Sequence, residues 1–192
     1  MNSIENIDRV IFNSLNGLNA SWLDTVMQFL SSFWFWMPMV IIVIYLFIRI
    51  FKKSFWMPLV AVILCFAVTD QSSNLSKKTF KRYRPTHNTE ISENVHTVDG
   101  YRGGQYGFFS GHAANSFGLA LLSLLFIRKK YYTIIVLVWA CIVSYSRIYL
   151  GVHYPSDICV GAIYGSLIAF LLYFLSKKIF KTRLLVEQKS NN

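Results

Sequence analysis

Five stretches of the chain, 34–50, 55–68, 117–127, 131–143 and 158–175, are almost uninterrupted hydrocarbon. None carries the polar stripe that a helix on the surface of a soluble bundle turns to water. A bilayer-crossing helix needs about 20 mostly apolar residues, and several stretches reach that length once their less apolar flanks are added. The pattern predicts an all-α, integral-membrane bundle of about five to six transmembrane helices, folded as a single domain over 1–192. It disfavours a water-soluble helical bundle.

Ahead of these stretches the pattern changes. Val10, Ile11, Leu15 and Leu18 lie among polar neighbours, and Trp22, Val26, Met27, Phe29 and Leu30 form a second short amphipathic stretch. Asn16-Gly17 separates the two. Residues 1–33 are therefore expected to form interfacial helices, the second able to enter the bilayer. The acidic Glu5, Asp8 and Asp24 are matched there only by Arg9, which makes this end a poor cytoplasmic anchor. No basic segment precedes an apolar stretch at the N-terminus, so no cleavable leader is expected.

The first span opens on Trp34 and Trp36, as in an interfacial aromatic belt, with Pro38 near its start, where a missing N–H costs least. The second is expected to continue in amphipathic form to Lys81. A Gly-rich polar loop over 83–108, containing His87 and His96, is longer than an ordinary connection and is expected to be functional or partly flexible. The third span begins near Ser110, and the fourth ends near Tyr145. A connection over 147–154 leads to Pro155, which suits the first turn of the last helix. A basic tail, 176–192, follows, and its end is expected to be disordered.

Composition strengthens this picture: 54% of residues are hydrophobic and 17% aromatic. A net charge of +10 would suit a nucleic-acid partner, but the positions of the charges do not. Arg49, Lys52 and Lys53, then Arg128, Lys129 and Lys130, then Lys177, Lys178, Lys181 and Arg183 each cap an apolar run, as cytoplasmic turns do. With those turns in the cytoplasm, the long loop and the 147–154 connection share the far face. Cys65, Cys141 and Cys159 lie in or beside apolar runs and are expected to be buried small hydrophobes, not disulfide partners or metal ligands.

A second basic set, 77–84 with Arg102 and Arg147, falls at the opposite ends of the runs and calls for another explanation. Three clusters meet there: Lys77, six residues, then Arg84-Pro85; Ser110-Gly111-His112; and Ser146-Arg147, five residues, His153, three residues, Asp157. Two guanidinium forks and an ammonium suit phosphate oxygens. The Ser110 hydroxyl and the Gly111 N–H at a helix start add donors. Together they would form a phosphate cradle without a metal. A carboxylate on one nitrogen of His153 would free the other for attack, and His112 could protonate a leaving oxygen. Singly, each cluster has a plainer explanation: Lys77 and Arg84 could snorkel to headgroups, and His153 could be an interfacial histidine.

In combination the clusters resemble the three signature motifs of the type 2 phosphatidic acid phosphatase (PAP2) superfamily, Lys-x6-Arg-Pro, Pro-Ser-Gly-His and Ser-Arg-x5-His-x3-Asp. Phe109 stands where the family usually has proline. The resemblance implies that Lys77, Arg84, Ser110, Gly111 and Arg147 bind phosphate. It makes His112 the acid, His153 the nucleophile and Asp157 its orienting partner, with no metal and no cofactor. The superfamily includes soluble vanadium haloperoxidases, and the spans here favour the membrane phosphatases.

The implied partners are the bilayer and a lipid phosphate. Undecaprenyl diphosphate is favoured, lipid A follows closely, and phosphatidylglycerol phosphate and phosphatidic acid remain open. The expected location is a bacterial inner membrane, with the active site on the periplasmic or extracellular face. A scaffold that has kept the pocket does not account for both histidines and Asp157. A lipid transporter would place charges deep within its spans. His87 and His96 could touch headgroups or pair on a metal. Gly100, Gly103, Gly104 and Gly107 look like turn formers. Asp70 could pair with a base or face water, and Asn115 and Ser116 could support the cradle or merely pack.

Overall fold

The computed structural model describes residues 3–190, with side chains for 5–179. It contains seven α-helices: α1 Ser3–Asn16, α2 Ser21–Leu30, α3 Phe33–Phe51, α4 Trp56–Phe80, α5 Gly111–Ile127, α6 Lys130–Tyr149 and α7 Pro155–Ser190. No strand occurs among the described residues, only an isolated bridge between Tyr83 and Tyr106 in the long loop.

Four segments are long and apolar enough to cross a membrane: Phe33–Ser54, Trp56–Phe80, Lys130–Tyr149 and Pro155–Ile179. Their outward faces carry Ile41, Ile63, Ile135 and Leu167 in the open, which only a lipid solvent accommodates. The fifth apolar helix, α5, has 17 residues and rises roughly 25 Å, short of a full hydrocarbon core. It is surrounded by protein instead. Ala113, Ala114, Ser116, Leu119 and Leu122 are buried against α4, α6 and α7.

Small residues permit that central position. A Cβ on Gly161 would stand 2.5 Å from the Ser110 carbonyl, and one on Gly165 would stand 2.0 Å from that of Ala114. The two glycines are four apart on one face of α7, so the backbones of α5 and α7 come into direct contact. Farther down, Phe47, Leu119, Leu122, Val136 and Val143 close the core.

The N-terminal helices lie at the motif end. With 10 residues, α2 is too short to span. Phe12 of α1 is fully buried, edge-on to Tyr154 at 5.5 Å. Asn16 Nδ2 donates to the carbonyls of Tyr149 (2.8 Å) and Ile148 (3.1 Å), while Ile7, Val10 and Ile11 face outward.

Several expectations change. Asp8 and Asp24 are not left to Arg9: Arg9 pairs with Glu90, Asp8 with Arg82, and Asp24 with His96. Their partners lie far along the chain and could not be read from local charge. Pro38 sits inside α3, not at its first turn. Arg147 belongs to the last turn of α6, so the connection shortens to 150–154. Only Cys65 is buried in the bundle, whereas Cys141 and Cys159 are exposed on helix faces. Helix α7 continues past Ser176, and the end of the tail at 191–192 lies outside the described residues.

Candidate active site

Lys77 stands in the last turn of α4, where its Nζ donates to Ser73 Oγ at 2.8 Å. A Cβ on Gly111 would lie 3.7 Å from that nitrogen, so the bare backbone at the start of α5 faces the ammonium. Arg84 follows the helix end. Its Nε donates to the Tyr106 carbonyl at 3.1 Å, and its NH1 is buried without a hydrogen-bond partner. Burial and the nearby charge of Arg147 lower its pKa. A buried, half-satisfied guanidinium is an anion-seeking group.

Ser110 is fully buried and caps α5, its Oγ accepting the Ala113 N–H at 3.4 Å. Its own N–H donates to the backbone carbonyl of Asp157 at 3.0 Å, which joins the second and third clusters directly. His112 is half-buried, edge-on to Trp36 at 6.2 Å, and lies within electrostatic range of Arg147, His153 and Lys77. With Ser31, Phe33, Phe66 and Asn115 it lines a cavity of about 260 Å³.

Arg147 is 5% exposed. Its NH1 donates to Ser31 Oγ and its NH2 to Tyr101 Oη at 3.2 Å, while Nε has no partner. His153 is 2% exposed. Its Nδ1 stands 3.5 Å from Asp157 Oδ2, too far and too poorly aligned for a full hydrogen bond. Burial pushes its pKa down to about 4 despite the carboxylate, so the ring is neutral at neutral pH. Asp157 Oδ2 accepts the Tyr154 N–H at 3.0 Å, and Oδ1 accepts Arg82 NH1 at 2.6 Å.

Gly107 marks where the clusters converge. A Cβ there would meet Arg84 Cγ at 3.1 Å, Asp157 Oδ2 at 3.2 Å and His153 Nδ1 at 3.5 Å. Gly103, at φ +65°, packs directly on Arg84 NH1. These glycines are more than turn formers, because they let the loop lie on the charged side chains. All eight residues singled out in the sequence thus gather at one end of the bundle. Chemically, the arrangement offers a cationic pocket at a helix N-terminus, beside one buried neutral imidazole and one half-buried imidazole.

Other polar residues make their hydrogen bonds outside the cationic cluster, although Asn115 also lines the His112 cavity. His96 Nε2 points to Asp24 Oδ1 at 2.8 Å, a carboxylate that also accepts from Tyr149 Oη at 2.6 Å. His96 therefore turns into the protein, away from headgroups. Asn115 Oδ1 accepts the Thr69 hydroxyl at 2.5 Å, Ser116 bonds back to its own helix, and Asp70 is exposed beside Asn74. Among the described residues no three His, Cys, Asp or Glu side chains cluster as metal ligands. A more apolar cavity of about 450 Å³, lined by Phe51, Met57, Phe126 and Tyr173, opens at the opposite end and has no part in this chemistry. Sequence reasoning missed Ser31, Tyr101, Arg82 and Asp8. Gly103 and Gly107 were visible, but only as turns.

The lipid A 4'-phosphatase of Porphyromonas gingivalis is 37% identical over 175 residues, covering 90% of this chain and 74% of that protein. The lipid A 4'-phosphatase of Bacteroides thetaiotaomicron is 35% identical over 179 residues, covering 92% and 80%. A transmembrane PAP2-type phosphatidylglycerolphosphate phosphatase from Bacillus subtilis superposes with a TM-score of 0.73 over 93% of this chain and 89% of that one, at 23% identity. Residues 56–181, which hold every cluster described above, match the family model of the PAP2 superfamily. The chain belongs to that superfamily and is a multi-pass membrane phosphatase that acts on lipid phosphates.

Proposed function

We propose that this phosphatase removes a phosphate monoester from a lipid A-type glycolipid through a phosphohistidine, at the outer face of a bacterial inner membrane. The observation that carries the mechanism is the pairing of unsatisfied buried guanidinium nitrogens on Arg84 and Arg147 with a neutral, buried His153 backed by Asp157. Lys77, Arg84, Arg147, the Ser110 hydroxyl and the Gly111 N–H hold the phosphate oxygens. Nε2 of His153 attacks phosphorus while Nδ1–H faces Asp157, whose charge stabilises the phosphorylated ring. The bond to the lipid oxygen breaks, and His112 supplies the proton to that oxygen. His112 then takes a proton from water, which attacks the phosphohistidine and releases orthophosphate. Fixed cations stabilise the five-coordinate phosphorus, and losing one such donor costs about 10²–10³ in rate.

Two relatives that carry the name lipid A 4'-phosphatase, at 37% and 35% identity, support the glycolipid over the polyprenyl diphosphate favoured on sequence grounds. The test is phosphate release by detergent-solubilised protein, with EDTA present. The panel holds lipid A, undecaprenyl diphosphate, phosphatidylglycerol phosphate and phosphatidic acid, with His153→Ala alongside. Release from lipid A by wild type, at background in the variant, is expected. Preferential release from undecaprenyl diphosphate would reassign the substrate, and undiminished release by His153→Ala would end the phosphohistidine mechanism.

A further inference from the structure

Arg82 lies outside the eight motif residues, yet it makes the most complete set of polar contacts at the site. Its NH1 donates to Asp157 Oδ1 at 2.6 Å and to Ser156 Oγ at 2.7 Å. Its NH2 donates to Asp8 Oδ2 at 2.5 Å. The guanidinium carbon sits 4.4 Å over the Tyr154 ring. Asp8 in turn accepts the Ser156 N–H at 2.9 Å, in the first turn of α7. The segment after α4, the start of α7 and the N-terminal helix α1 are thereby closed into one ring of charge-assisted bonds. Both carboxylates are buried, Asp157 completely.

From these contacts we propose that Arg82, anchored by Asp8 of α1, is a positioning residue that aims the Asp157 carboxylate at His153. This role rests on the phosphohistidine mechanism above. A carboxylate offers about four lone-pair sites. Arg82 takes Oδ1 and the Tyr154 N–H takes one site on Oδ2, so the free Oδ2 site falls toward His153 Nδ1. Without Arg82 a single backbone bond would hold the carboxylate, and the His153–Asp157 contact, already 3.5 Å, would lose its fixed geometry.

Arg82 also offsets the charge of Asp157. The groups facing His153 are Asp157 from α7, Arg84 from the loop, Arg147 from α6 and His112 from α5. Lys77 from α4 acts on Arg84, Arg147, Asp157 and His112 of that set, and Asp8 from α1 acts through Arg82. Removing Arg82 leaves more of the Asp157 charge to favour imidazolium, so the nucleophile becomes protonated at higher pH. Helix α1, which contributes no motif residue, is in this way tied to the reacting histidine through Asp8.

The test uses full-length Arg82→Gln, Arg82→Lys and Asp8→Asn in detergent, on the panel lipid that wild type hydrolyses. Arg82→Gln is expected to lower kcat about 10- to 100-fold, the scale found when the hydrogen-bond partner that orients a metal-ligating side chain is removed. KM is expected to stay near wild type, and the acidic limb of the kcat profile to move to higher pH. Arg82→Lys restores part of kcat. Unchanged kcat and profile overturn the proposal, and so does a raised KM at constant kcat, which would make Arg82 a substrate contact. If Arg82→Gln does not fold, Asp8→Asn decides: it removes only the second anchor, and a several-fold loss of kcat in the same sense is expected, whereas wild-type kcat overturns the role. A wild type silent on every lipid would instead remove the phosphohistidine function, and this role with it.

Discussion

At His153 burial, joined by the charges of Arg84 and Arg147, opposes the Asp157 carboxylate and prevails, with the pKa lowered to about 4 against an ordinary 6.5. The unfolded imidazole binds a proton below about 6.5, while the folded one refuses it until about 4. Between those values the unfolded state holds more protons, so stability present above 6.5 is lost as pH falls through the window. The linkage is on the order of 3 kcal/mol across the whole window. Comparing melting midpoints of wild type and His153→Asn from neutral pH downward should show the wild type losing more. Parallel curves would mean that His153 is not held neutral. The motif residues around it were legible because their chemistry recurs at short, fixed spacings. Arg82, Asp8 and Ser31 were not, because their partners stand 74, 148 and 116 positions away, and no local pattern links a lone carboxylate in an amphipathic helix to a buried histidine.

At the scale of elements, the apolar runs announced the spans but not how they seat. A uniformly apolar run hides its contact face, since lipid and protein neighbours demand the same residues. The exception was written in small residues: Gly161 and Gly165, four apart, mark the α5 seam. That seam sets the height of Ser110, because the Ser110 carbonyl lies against Gly161 and its N–H bonds the Asp157 carbonyl. Gly165→Leu would push a side chain into the Ala114 backbone, which a Cβ already meets at 2.0 Å. Overpacking of this kind costs about 1–3 kcal/mol or more. The variant should melt below wild type and lose phosphate release, while Leu167→Ala on the exposed face of α7 should do neither. A Gly165→Leu protein that melts and turns over as wild type would show that the helices do not meet there. The ends of α5 were legible, but its central place among α4, α6 and α7 and the helical placement of Arg147 escaped the sequence, since hydropathy does not tell a helix that protein shields from one that meets lipid.

At the scale of the molecule, charge is distributed along the bundle axis. Arg49, Lys52, Lys53, Arg128, Lys129 and Lys130 crowd the turns at one end, and the phosphate-seeking cations gather at the other beneath α1, α2 and the long loop. Turns of the first kind stay in the cytoplasm, whereas Arg84 and Arg147 are buried, Arg82 is half-buried, and all three are hydrogen-bonded and do not compete to orient the chain. The site should therefore face away from the cytoplasm and meet headgroups of the outer leaflet. Glu93 in the long loop and Lys129 in a basic turn are both exposed, which makes them fair reporters once Cys65, Cys141 and Cys159 are replaced. In intact cells a membrane-impermeant maleimide should label Glu93→Cys at once and Lys129→Cys only after permeabilisation. The reverse pattern would put the pocket in the cytoplasm, where it would meet lipid phosphates as they are made and not after their export. It would also mean that the cations of the pocket, and not those of the turns, govern insertion.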